Sequence, residues 1–166
     1  AGPIFQSELC AAWEQAALQA EQQGLRVCLL RTGVVLGHSG GALAKFARPV
    51  RLFAGTVLGS GRQWISWIHL DDMLGLILLA LDDSSISGPM NCTAPAPVTH
   101  REFMHTLARL LRRPLWLWMP AFMLRLIMGE MAQLLVDGQK VLPTKALQHG
   151  YRFRFATLQP ALRDLL

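Results

Sequence analysis

The feature that most constrains this chain is the run Arg26–Leu36, RVCLLRTGVVL, which is nearly continuous in apolar residues. A strand with one wet face alternates apolar and polar residues. A run without alternation suits a strand buried on both faces, as in a parallel sheet. Such a strand needs hydrogen-bonded neighbours and covering helices. Helical signals flank it. Phe5–Gln23 carries Leu9, Ala12, Trp13, Ala16, Ala17 and Ala20 at helical spacing and stops at Gly24. A second helix is predicted over Gly41–Val50, ending near Pro49.

Further along, Gly59-Ser60-Gly61 marks a turn before a short strand at Trp64–Leu70. Asp71 or Asp72 is placed to cap a helix over Met73–Leu81. Pro89–Thr93 reads as another short strand, and Thr99-His100-Arg101-Glu102 as a capping box opening a helix to about Leu111. Leu115–Met119 is predicted extended, with Pro120 at the first position of the next helix. In the tail, Pro143 opens a short helix stopped by Gly150, Tyr151–Phe155 alternates, and Thr157 caps a last helix. Alternating strands and helices argue an α/β fold. Only one strand has the quality of a central parallel strand, and a helix opens the chain with no strand before it. The expectation is therefore the C-terminal part of something larger.

A chain of 166 residues has room for one domain. It is 52% hydrophobic and 16% charged, against about 25% charged in a typical soluble domain, and this balance excludes disorder. The longest greasy stretch, Leu115–Val136, is interrupted by Pro120, Arg125 and Glu130, which argues against a spanning helix. No secretory leader opens the sequence, so the expectation is a soluble, cytoplasmic chain with no membrane partner. Cys10, Cys28 and Cys92 lack metal-site or disulfide-frame spacing and read as reduced thiols. Thirteen of the sixteen cations are arginine, giving a net charge of +5. They are scattered and carry no nucleic-acid signature, so no nucleic-acid partner is expected.

Gly37-His38-Ser39-Gly40-Gly41 matches the GxSxG pattern of a serine hydrolase elbow, followed in chain order by Asp71 or Asp72 and by His100, His105 or His149. The competing reading, a glycine-rich turn with an incidental serine, is favoured because so short a pattern recurs by chance. His100 and His105 are not spaced for one helix face, so no metal site is expected. His69, in WIHLDD, reads as a core or strand-end histidine bonded locally. Gly59-Ser60-Gly61-Arg62-Gln63 has the composition of either an anion-holding loop or an ordinary turn. No GxGxxG or Walker pattern occurs.

Taken in order, LLRTGVVLG (Leu29–Gly37), GGALAK (Gly40–Lys45), GSGRQWISWIHLDDM (Gly59–Met73), GPMNCTAPAPVTHREF (Gly88–Phe103), RRPLWLWMPAFMLRLIMGE (Arg112–Glu130) and the tail form an assembled pattern. It resembles the C-terminal half of extended short-chain dehydrogenases/reductases, and more closely their bacterial NAD(P)-dependent sugar-nucleotide epimerase branch. The resemblance implies the end of a Rossmann sheet (residues 1–55) followed by a small mixed α/β substrate lobe (residues 56–166). It implies NAD or NADP as cofactor, with Arg31, Thr32, Gly33, Val34 and Val35 against the nicotinamide end. Gly41 and Lys45 of the loop after the strand, with Arg62, Gln63 and Trp64, would line the substrate cleft. His69 and Asp72 match a mainly structural corner, and Asn91 an asparagine in the strand before the capping-box helix.

Three of the family's features are missing, the first being the N-terminal Rossmann half with its phosphate-binding glycines. There is no Tyr-x-x-x-Lys pair, because Tyr151 is the only tyrosine. Where many sugar-nucleotide enzymes carry Arg-Asp, this chain has Ile65-Ser66, which leaves Arg62 as the nearby cation. The resemblance thus implies a substrate-binding portion for a nucleotide-sugar or related small molecule, with no catalytic residue of its own. Alone it would be inactive, would bind the cofactor weakly or not at all, and would self-associate loosely; the intact parent would be a candidate homodimer. The rivals are a hydrolase using Ser39 and a non-catalytic module that binds a partner protein.

Overall fold

The apolar run is split at Gly33. The computed structural model describes residues 5–38, 40–120, 122–123, 126 and 138–166. Within it the run forms β1 (Cys28–Thr32) and β2 (Val34–Leu36). β1 pairs in parallel with β6 (Gly88–Cys92), from Cys28 opposite Gly88 to Thr32 opposite Cys92. β2 pairs in parallel with β5 (Trp67–His69), from Val34 opposite Trp67 to Leu36 opposite His69. The handover is hydrogen-bonded: the Gly33 N–H donates to Cys92 O at 3.0 Å and the Val34 N–H to Ser66 O at 2.8 Å. These pairs join segments on either side of residue 55. Among the described residues two further pairs are β3 (Thr56–Leu58) parallel to β8 (Leu117–Met119), and β4 (Trp64–Ile65) antiparallel to β7 (Val98–Thr99).

The strand expected to be buried on both faces is not. Within β1 and β2 only Leu36 is buried, and Arg31 and Thr32 are exposed. The doubly buried strand is β5. Successive side chains of a strand point to opposite faces, and Trp67 enters one apolar cluster while Ile68 enters another. The first cluster gathers Leu43, Ala47 and Val50 of α2 (Gly41–Arg51), Phe103 and Leu107 of α4 (His100–Leu110), and Leu158 and Leu162 of α6 (Leu158–Leu165). The second joins Leu76 and Ala80 of α3 (Leu70–Asp82) to Met90, Cys92 and Ala146 of α5 (Thr144–Gln148). The opening helix α1 (Phe5–Leu18) continues as a 3-10 turn over Gln19–Gln23 and ends at left-handed Gly24. Its Glu14 holds Arg31 through two bonds of 2.7 Å.

Helix α3 starts earlier than its aspartates predict. The N-cap is His69, whose Nδ1 accepts the Asp71 N–H at 3.1 Å. Asp72, a predicted cap, is buried and serves elsewhere: it accepts the backbone N–H of Arg154 at 2.8 Å and of Phe155 at 2.9 Å, and the Tyr151 hydroxyl at 3.2 Å. The alternating residues 151–155 therefore form no strand; a carboxylate takes the place of a sheet neighbour. The helix expected from Pro120 lies mostly outside the described residues.

The capping box is formed as read, with the Glu102 N–H donating to Thr99 Oγ1 at 3.2 Å and the Thr99 N–H to Glu102 Oε2 at 2.7 Å. Thr99→Ala should lower stability by about 1 kcal/mol, a fall of roughly 2–4 °C in Tm for a chain of this size. An unchanged melting curve would show that tertiary packing alone holds the start of α4.

Candidate functional site

At the carboxyl end of β1, where parallel sheets characteristically receive ligands, the described residues enclose a cavity of about 850 Å³. Thr32, Gly33 and Val34 form one wall, and α2 contributes Ala42, Lys45 and Phe46. Thr56, Leu58, Gln63, Trp64 and Ile65 come from the β3–β4 region, and His100 and Met104 from the start of α4. Gly138 and Gln139 also line it, and the cavity is open to one side.

That last segment is strapped down by side chains in or next to the strands. Ser66 Oγ donates to Gln139 O at 2.7 Å and accepts the Val141 N–H at 2.9 Å. Thr93 Oγ1 donates to Val141 O at 3.3 Å, and Asn91 Nδ2 to Leu142 O at 3.3 Å. Only a glycine fits at 138, because a Cβ there would lie 2.1 Å from Trp64 O. Lys140 sits over the Trp64 ring, its Nζ 4.7 Å from the centroid. Ser66, set down from the sequence as an absent aspartate, is thus the bolt of the strap. No short-range pattern announces that role.

Among the described residues that line the cavity, Lys45 is the only charged side chain and there is no carboxylate. Gln63 is held by its Nε2, which donates to Leu58 O at 2.9 Å. His100 is 3% exposed, and both ring nitrogens lack a hydrogen-bond partner. Burial pushes its pKa down to about 4, so the imidazole is neutral at pH 7. The sequence marked His100 as the residue after a cap, and nothing local says that it faces a cavity.

The residues proposed from the sequence divide by geometry. Thr32, Gly33, Val34, Lys45, Gln63 and Trp64 line the cavity. Arg31 and Val35 lie off it: Arg31 pairs with Glu14, and Val35 packs on the second apolar cluster. The two-residue period of a strand sends the side chains of Thr32 and Val34 one way and those of Arg31 and Val35 the other, and Gly33 between them shows the cavity only backbone. Gly41, the first residue of α2, does not line the cavity, and Arg62 stands exposed in the preceding turn.

Nothing among the described residues supports the hydrolase constellation. Ser39 lies outside the described residues. The Asp72 carboxylate is taken up by backbone N–H groups, and His149 pairs with Asp83 at 2.9 Å. His69 instead stacks on Phe155, with ring centroids 3.9 Å apart, and its Nε2 lies 3.3 Å from Asp164. Among the described residues no helix is long and apolar enough to cross a membrane.

Comparison with known proteins agrees with this geometry. Residues 6–92 match the model of the NAD dependent epimerase/dehydratase family, and residues 119–165 match a domain of unknown function, DUF1731. An epimerase family protein of Staphylococcus aureus is 43% identical over 162 residues, covering 98% of this chain and 54% of that protein. The crystal structure of human epimerase family protein SDR39U1 with NADPH superposes with a TM-score of 0.79 at 36% identity, over 84% of this chain and 48% of that one. A nucleoside-diphosphate sugar epimerase from Corynebacterium glutamicum gives 0.77 at 30% identity, over 99% of this chain and 31% of that one. The chain spans about half the length of the curated relatives it matches. With an α/β, Rossmann-like fold and a family match over more than half of its residues, it belongs to the NAD dependent epimerase/dehydratase family.

Proposed function

We propose that this chain forms the substrate-facing part of an NAD(P)-dependent epimerase or reductase acting on a small molecule. The observation that carries the reading is the cavity at the end of the parallel strands, with Thr32–Val34 on one wall and Lys45, Gln63 and Trp64 around the rest. The cofactor's ring end fits the first wall, because Gly33 offers backbone without a side chain there. The phosphate-binding glycines would be supplied elsewhere, since the sequence has no GxGxxG. When bound, a nicotinamide would supply a hydride acceptor and donor. The chain's own residues bind, orient and exclude water: Lys45 attracts negative charge, Trp64 and Phe46 cover apolar surface, and the strap at residues 138–141 borders one side.

The reading of the chain as one part of a larger enzyme is supported by its uncovered surfaces. Leu70, Leu74, Leu78 and Leu81 make an exposed stripe along α3, and Arg31 and Thr32 at the end of β1 are exposed. In a doubly wound sheet such surfaces lie beneath further elements. NADPH titrated into this chain should bind no tighter than about 1 µM, or −8.2 kcal/mol. At millimolar NADPH, the amide resonances of Thr32, Gly33 and Val34 should shift. Tight binding would sink the division of labour, and unmoved resonances would sink the assignment of the wall.

A further inference from the structure

Resting on the reading of this cavity as the substrate cleft, we infer that its ligand is an apolar-bodied carbonyl compound carrying one carboxylate. In that assignment His100 holds the carbonyl and Lys45 the carboxylate. The lining is built for an apolar body. Val34, Phe46, Leu58, Ile65, Met104 and Met119 reach it from six different elements. A cleft of this volume suits a small molecule bound through a few placed polar groups.

The polar groups define the ligand's chemistry. A diphosphate calls for several cations or a bidentate guanidinium. The described lining offers one lysine and no arginine. Arg31 is spent on Glu14, and Arg62 and Arg101 are not in the lining. A single carboxylate matches a single ammonium group. No acidic side chain in the described lining competes for Lys45.

His100 is the unusual member. A buried histidine normally finds partners for its ring nitrogens. Here both are unpartnered and shut off from water, while the ring stands edge-on to Phe46, with centroids 6.1 Å apart at 67°. Phe46 also lines the cavity. The last torsion of a histidine side chain is soft, so a turn of the ring past the edge of Phe46 presents a nitrogen to a ligand. The neutral ring then donates one N–H to a carbonyl oxygen. Desolvation of His100, already complete in the free protein, does not have to be repeated on binding.

The test uses the full chain with histidine labelled by 15N, and three probes: 4-oxo-4-phenylbutanoate, 4-phenylbutanoate, which lacks only the carbonyl, and UDP. The keto acid should shift the His100 ring nitrogens and bind about fivefold more tightly than the plain acid, the worth of one hydrogen bond. His100→Leu should erase that preference, and His100→Gln, which keeps a donor, should retain part of it. Lys45→Met should weaken both acids alike. UDP should bind less tightly than the keto acid.

A carbonyl preference that survives His100→Leu, or UDP binding more tightly than the keto acid, overturns the inference. If His100→Leu does not fold, the ring-nitrogen shift and His100→Gln decide: an unmoved ring with no carbonyl preference overturns it. Failure of the cofactor reading shows separately, as Thr32–Val34 resonances that ignore NADPH.

Discussion

Asp72→Ala should cut the C-terminal segment loose and lower stability by about 3–5 kcal/mol, because each buried donor left without an acceptor costs about 1–3 kcal/mol. One carboxylate, 1% exposed, accepts the N–H groups of Arg154 and Phe155 and the Tyr151 hydroxyl. Alanine would strand the two N–H groups where water reaches poorly, while the Tyr151 hydroxyl would keep only the Asp72 backbone carbonyl, at 3.2 Å. The damage spreads from there. Phe155 would lose its seat against His69, and Tyr151 its position over Gly75, where a Cβ would come 2.1 Å from the phenol oxygen. Asp72→Asn keeps a single acceptor oxygen, so it should cost about half as much. Urea unfolding gives the free energies, and amide exchange at Arg154 and Phe155 reports the local release. Both variants within about 0.5 kcal/mol of the parent would mean that the α6 core contacts hold the tail without the carboxylate.

Much of the fold was legible because its signals are local. Thr99 and Glu102 satisfy each other across three residues, so the sequence alone names the start of α4. Apolar spacing and a terminal proline likewise placed α2, although Pro49 lies inside the helix rather than at its end. What was not legible depends on distant partners. The break at Gly33 exists because the run changes neighbour from β6 to β5, and those strands lie more than thirty residues downstream. His69 wins the cap over two aspartates because Asp72 is drawn to a segment about eighty residues away.

The site divides along the same line. The family pattern implies residues 31–35 as a block, and the cavity lining distinguishes within it: Thr32, Gly33 and Val34 line the cavity, while Arg31 and Val35 do not. Lys45 lines it from α2 and Trp64 from β4. His100 and the strap at 138–141 were invisible as site components. One is defined by partners it lacks, the other by hydrogen bonds from Ser66, Asn91 and Thr93 that no spacing rule encodes.

Gly33→Ala is the sharper test of how the strands cross. A Cβ at residue 33 would stand 2.4 Å from Ser66 O and 2.9 Å from Thr93 Cγ2. Ser66 O is backbone, and it already accepts the Val34 N–H at 2.8 Å, so it can retreat only by parting β2 from β5. Thr93 is buried and tied to Val141, which blocks escape on the other side. Overpacking of this kind costs typically 1–3 kcal/mol and occasionally more. With contacts this short and a backbone atom among them, about 3 kcal/mol is expected. At a urea dependence of about 2 kcal/mol/M, that is a midpoint lowered by roughly 1.5 M. The glycine thus has a structural reason to be glycine whatever ring packs beside it. Loss of stability with no ligand present isolates that reason. A midpoint shifted by less than about 0.3 M would show that the strands part easily at residue 33, leaving close approach of a ligand as the explanation for the missing side chain.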